Sequence, residues 1–146
     1  MQELKIKLLN DNAKIPTRGS EKAAGWDLYA AIEAPITIKA FETEKISTGI
    51  AVALPEDTFG GIYARSGLAT KKGLRPANCT GVIDEDYRGE VIVALHNDTR
   101  NDWIIEPGER IAQLVVEPYV RVKITETSEL DDTARGEGGF GSTGTK

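Results

Sequence analysis

The chain is 146 residues long, enough for one domain with its own core and too short for two ordinary ones. Eighteen Lys and Arg (18) stand against 23 Asp and Glu, and the net charge of −5 leaves no basic footprint for coating a polyanion such as DNA. Cys79 is the one cysteine, which excludes an intrachain disulfide and a cysteine-based metal cage and suits a reducing cytoplasm.

At the N-terminus charges interrupt every apolar run, so neither a secretory segment nor a membrane span is expected. From Leu4 to Leu9 apolar and charged residues alternate with the period of a half-buried strand. The same rhythm predicts strands over Ile36 to Ala40, Lys45 to Leu54, Gly61 to Arg65, Glu90 to His96, Ile111 to Val116 and Tyr119 to Thr125. Between them lie breakers, each with a residue suited to fixed or positive φ: Asn10-Asp11-Asn12, Pro16 to Ser20, Pro55-Glu56-Asp57, Arg88-Gly89 and Pro107-Gly108. Only Ser66 to Lys72 has the makings of a short helical turn. Many short strands with such punctuation predict an antiparallel barrel or sandwich.

The composition changes once, after Asp132, where Gly, Ser and Thr dominate to the end. Such a stretch is ordinarily a flexible tail, because it buries too little apolar surface to offset its ordering entropy. Two residues resist that reading. Arg135 could fix an anion among glycine N–H groups and the Ser142 and Thr143 hydroxyls, and Phe140 is suited to stack on a planar base.

The run Gly81 to Val91 has an apolar beginning, a polar hairpin tip and an apolar exit. Asp84, Glu85 and Asp86 crowd the tip. This is either a solvated acidic turn or a place where one carboxylate acts as general base beside a metal–phosphate complex. In extended geometry Asp84 and Asp86 share one face and Glu85 the other. Arg65-Ser66-Gly67 closes a strand with a cation, a hydroxyl and a permissive glycine, the donors an oligophosphate needs, although an exposed turn would look the same. Gly25-Trp26-Asp27-Leu28 and Gly108 to Gln113 are unremarkable when taken singly.

In order along the chain, these segments resemble the five motifs of the trimeric dUTPase family (deoxyuridine triphosphate nucleotidohydrolases): Ala24 to Ala30, Ala64 to Ala69, Gly81 to Val91, Gly108 to Gln113 and Arg135 to Gly144. Their span is effectively the whole chain. The resemblance implies an all-β, jelly-roll-like barrel of the β-clip kind over residues 1–132. A flexible Gly-rich arm, 133–146, would close over an active site. It implies a homotrimer with shared sites, the third motif coming from one chain and the fifth from another.

The implied reaction is hydrolysis of dUTP to dUMP and pyrophosphate, limiting uracil incorporation into DNA and supplying dUMP for thymidylate synthesis. By resemblance Asp84 is the base that activates a water for attack on the α-phosphorus. Gln113 helps position that water. Arg65, Ser66 and Gly67 hold the α- and β-phosphates. Asn78 and the backbone from Gly81 read uracil, and Tyr87 packs against C2′ to reject ribose. Arg135, Gly141, Ser142 and Thr143 take the γ-phosphate, with Phe140 as the aromatic lid. Mg2+ rides on the substrate phosphates, and Asp27 contacts either the metal's water shell or the phosphate-binding Arg. Arg110 is assigned a structural ion pair, and His96 and Cys79 structural places. The alternatives are a dCTP deaminase-like enzyme and a non-catalytic nucleotide-binding regulatory module. The first is disfavoured by the intact Arg-Ser-Gly and Gly-rich motifs, the second by Asp84, Gln113, Arg135 and Phe140 standing together.

Overall fold

The computed structural model describes residues 2–145; Met1 and Lys146, the outer bounds of the two expected units, lie outside the described residues. Ten strands and one helix follow in chain order: β1 (Lys5–Leu8), β2 (Trp26–Tyr29), β3 (Ile36–Ile38), β4 (Thr43–Ala53), β5 (Thr58–Tyr63), α1 (Ser66–Lys72), β6 (Leu74–Pro76), β7 (Gly81–Ile83), β8 (Glu90–Asn97), β9 (Trp103–Ile105) and β10 (Arg110–Pro118). They form two antiparallel four-stranded sheets, ordered β1-β4-β8-β6 and β2-β10-β5-β7, and a two-stranded ribbon of β3 and β9. The result is the all-β, jelly-roll-like architecture expected.

Alternation builds the core. In β8, Val91, Val93, Leu95 and Asn97 point inward, while Ile92 faces out. They meet Ile46 and Ile50 of β4, and Leu28 and Leu114 from the other sheet. Each such side chain is worth about 1.5–3 kcal/mol when fully withdrawn from water. Asn97 is the largest of three buried polar residues among those described, with Thr48 and Thr58, and all its amide capacity is used. Its Nδ2 donates to the carbonyls of Ile38, Lys39 and Asn101, and its Oδ1 accepts from Thr99, so it pins β3 and the β8–β9 turn to β8.

β4 is interrupted by a bulge between Ser47 and Ala51, where Gly49 takes a φ of 65°. The Glu90 carboxylate fills it, accepting from Gly49 N at 2.8 Å and from the Ser47 hydroxyl. The helix Ser66–Lys72 matches the expected turn. It stops at Gly73, whose φ of 62° suits glycine and whose N–H caps the Leu68 carbonyl.

The expected strand over Tyr119 to Thr125 is not present. Its alternation is real, but Val120, Val122 and Ile124 are 83%, 76% and 91% exposed, and no ladder runs beyond Pro118 among the described residues. An alternating sequence specifies an extended, two-faced segment and says nothing about whether the same chain supplies a partner edge. Conversely, β6 and β9, of three residues each, are too short to display a period.

Candidate active site

The sheet β2-β10-β5-β7 organises four of the five motif segments. β10 lies centrally, with Gln113 opposite Asp27 of β2 on one side and Tyr63 of β5 on the other. Because β5 ends at Tyr63, Arg65 emerges beside the same point. Its Nε donates to Asp27 Oδ1 at 2.9 Å, and Arg110 Nη1 reaches Asp27 Oδ2 at 3.1 Å. Arg65 Nη1 also approaches the Arg110 carbonyl at 3.4 Å. One carboxylate thus aligns two guanidiniums, the three groups coming from three segments, and Arg110 makes the ion pair assigned to it. Of the two contacts open to Asp27, the one with the arginine is made.

Gln113 is fixed as tightly. Its Nε2 donates to the Ala64 carbonyl at 2.9 Å, and its Oε1 lies over Gly25, where a Cβ would come within 2.1 Å. Gly25 is therefore obligatory for the position of Gln113, a role missed by reading the sequence, although a glycine entering a strand beside tryptophan was the available signal. Tyr63 and Glu117 were also missed. With Gln113, Gly25 and Cys79 they line one hollow on the outer face. The Tyr63 hydroxyl donates to Glu117 Oε1 at 2.5 Å, and that bond raises the phenol's pKa above its ordinary value, with burial and the carboxylate's charge adding to it.

β7 borders β5 on the far side, with Gly81 opposite Ile62 and Ile83 opposite Gly60. Asp84 follows directly, exposed, at the level of Phe59. Gln113 pairs at Tyr63, so four residues of β5 separate the two positions, roughly 14 Å along the strand. Asp84 opens onto a second hollow, lined also by Phe59, Val82, Glu85, Asp86, Tyr119 and Arg121. The expected alternation does not hold here: the strand ends at Ile83, Glu85 and Asp86 form a turn, and all three carboxylates border the same hollow, Glu85 through a network of its own. Glu85 accepts from Asp57 N at 3.0 Å, Arg121 Nη2 at 3.2 Å and Tyr119 Oη at 3.4 Å, which ties the hairpin to the root of the C-terminal segment. The Tyr119 hydroxyl, followed by the charges of Asp57, Tyr119 and Glu85, holds the Arg121 guanidinium above its ordinary pKa.

Asn78 lies exposed on the turn before β7, and its Nδ2 is 3.6 Å from where a Gly81 Cβ would stand. Tyr87 folds over the hairpin tip, its hydroxyl donating to the Glu90 carbonyl at 2.9 Å; a Cβ at Gly89 would lie 2.4 Å from that oxygen. Ser66 and Gly67 open α1 in exposed positions next to Arg65. The fifth segment stands apart from all of these. Arg135 Nε donates to its own loop at the Gly138 carbonyl, 2.8 Å away. Gly141, Ser142 and Thr143 shape further local turns, and Phe140 is fully exposed.

Among the described residues no group of three or more His, Cys, Asp or Glu converges to hold a metal, and both Asp27 oxygens are engaged by guanidiniums. No described helix is long and apolar enough to cross a membrane.

Comparison with known proteins adds the relationship. The family model described as dUTPase matches residues 11–144. The chain is 52% identical over 143 residues to the deoxyuridine 5'-triphosphate nucleotidohydrolase of Rickettsia bellii (strain OSU 85-389), covering 97% of this chain and 95% of that one. It is 51% identical to that of Rickettsia felis, covering 97% of each. Among solved structures it resembles the dUTPase of Staphylococcus bacteriophage 80alpha with dUPNHPP, with a TM-score of 0.91 and 31% identity over 99% of this chain and 100% of that one. It also resembles the dUTPase of phage phi11 of S. aureus, with a TM-score of 0.82 and 25% identity over 90% and 100%. A match over almost the whole chain, on a fold that sets Asp27, Arg65 and Gln113 side by side, shows that this protein belongs to the dUTPase family.

Proposed function

We propose that this protein hydrolyses dUTP to dUMP and pyrophosphate in the cytoplasm, as a homotrimer that shares its active sites. The substrate is the magnesium complex of dUTP, the cation neutralising phosphate charge and orienting the pyrophosphate leaving group. Arg65, Ser66 and Gly67 bind the α- and β-phosphates. The pairing of Arg65 with Asp27 supports this, because a guanidinium already oriented loses little freedom when phosphate arrives.

The Asp84 carboxylate takes a proton from a water whose oxygen attacks the α-phosphorus in line. As that bond forms, the bond from the α-phosphorus to the bridging oxygen breaks, and pyrophosphate departs. Gln113 steadies the water and the α-phosphate. Asn78 and the backbone at Gly81 read uracil, and Tyr87 excludes a ribose hydroxyl. The body, residues 1–132, carries these groups. The arm, 133–146, brings Arg135, Gly141, Ser142 and Thr143 to the γ-phosphate and Phe140 over the base. Removal of dUTP keeps uracil out of DNA, and the dUMP formed supplies thymidylate synthesis.

One observation carries the reading. The phosphate-facing group and the base stand roughly 14 Å apart along one strand of the same chain. A base acts only within hydrogen-bond reach of its water, about 3 Å. Asp84 of one copy therefore serves the Arg65 and Gln113 of another, a head-to-tail contact that gives a closed trimer when each copy is turned by a third of a circle from the last. From Arg121 to Arg135 the chain can extend by up to about 50 Å, ample for the arm to reach a neighbouring copy.

The test is pyrophosphate release from dUTP, dTTP, dCTP and UTP with magnesium, beside the Asp84→Asn variant. The expected result is turnover of dUTP alone, reduced about 10²–10⁴-fold in the variant. Ammonia from dCTP, or binding without turnover, would sink the proposal in favour of a deaminase or a regulatory module.

A further inference from the structure

Arg75 is not part of any motif segment; it lies on the stretch of chain between the second and the third. On β6 it lies opposite His96 of β8. Its guanidinium grips Asp98 with two bonds, Nε to Oδ2 at 2.5 Å and Nη2 to Oδ1 at 3.1 Å. A third donor, Nη1, reaches the Pro76 carbonyl at 3.2 Å. That same carbonyl accepts the Cys79 N–H at 3.0 Å and so closes the turn on which Asn78 is displayed. Asp98 is held in its own right: its N–H donates to the Gly73 carbonyl at 3.0 Å, at the end of the helix that begins with Ser66, and its Oδ1 also lies 3.4 Å from His96 Nε2. The turn contains a conformation that needs holding, since Cys79 adopts a φ of 64°, which a residue with a Cβ takes up reluctantly.

We infer that the Arg75–Asp98 pair is a latch that positions the Pro76–Cys79 turn, and through it Asn78, for selection of the nucleotide base. The inference rests on the proposal that Asn78 reads uracil. Two parallel bonds to a carboxylate fix the guanidinium plane in a way that a point charge does not, and the third donor transmits that plane to the turn's own carbonyl. Consistently, the bond to Asp98 raises the Arg75 pKa, and the bond to Arg75 holds the Asp98 carboxyl below its ordinary range. The pair is partly exposed, so its effect is modest, and it acts as a positioning device without touching substrate.

The experiment uses the full chain and reads exchange of the Cys79 amide hydrogen by NMR, and kcat and KM for dUTP together with the inhibition constant of dCTP as a competitor. In Arg75→Gln and in Asp98→Asn the Cys79 amide should exchange faster. KM for dUTP should rise about fivefold with kcat within twofold, and the preference for dUTP over dCTP should fall by a similar factor. Arg75→Lys, which keeps the charge and loses the fork, should behave like Arg75→Gln. Unchanged exchange in both variants overturns the latch. Faster exchange with unmoved KM, where Asn78→Ala does raise KM, overturns the role in base selection. If Asn78→Ala also leaves KM unmoved, it is the base-reading assignment of the turn that fails, and the latch stands as a structural device.

Discussion

Arg65 and Arg135 are assigned to the same triphosphate, yet the molecule holds them in opposite ways. Arg65 is clamped to Asp27 beside a glutamine wedged between Ala64 and Gly25, where the ends of β2 and β5 flank β10. Arg135 bonds only within its own loop, and Phe140 five residues on touches nothing of the body. The clamped arginine offers charge that is already oriented before substrate arrives. The loose one requires ordering on binding, at about 1–2 kcal/mol for each backbone residue fixed, and its contacts must exceed that sum for the arm to close. Under the proposed function, the difference makes the body the part that recognises the nucleotide and the arm the part that commits it.

Three experiments would break or sharpen that contrast. The largest effect belongs to removing residues 133–146. We expect kcat/KM to fall about 10²–10⁴-fold, from the loss of a charge-assisted contact and a stacked ring, while Tm shifts by no more than about 2 °C. A truncated protein that melts far lower would mean that the arm belongs to the packed body. Second is Gly25→Ala. The new methyl would lie 2.1 Å from Gln113 Oε1 and must dislodge it, so kcat should fall about 10²-fold with the fold intact. If kcat holds, Gln113 has freedom that its hydrogen bond conceals.

The smallest effect concerns pH. The Tyr63 phenol is raised by its bond to Glu117, so the stability it contributes is complete below the unfolded value of about 10 and is lost as pH climbs through the higher folded value. Thermal melts of wild type and Tyr63→Phe should therefore differ most below pH of about 10 and converge above it. A gap that widens with alkali would show that the phenolate, not the phenol, is the form the fold prefers.

How much of this was legible beforehand follows from distance along the chain. β8 announces itself because Val91, Val93, Leu95 and Asn97 alternate with outward residues over a long strand. The motif segments announce themselves because each is contiguous. The Asp27–Arg110 pair spans 83 residues, and nothing in either neighbourhood says that β2 and β10 will lie side by side. The Glu85 network is hidden for the same reason, since Asp57, Tyr119 and Arg121 come from two other segments. Tyr119 to Thr125 marks the opposite failure. A pattern that reads as a strand locally is left without a partner, because pairing is a property of two segments and alternation of only one.

The arm's isolation has a consequence for how long an idle molecule survives. Arg121, Lys123 and Arg135 lie on exposed chain without regular secondary structure, the setting in which trypsin-like proteases cut most readily. A cut after Arg135 removes Phe140, Ser142 and Thr143 at one stroke and leaves every strand intact. Nucleotide that draws the arm down would shield the same bond, so the rate of nicking becomes a clock that runs only while the enzyme is empty.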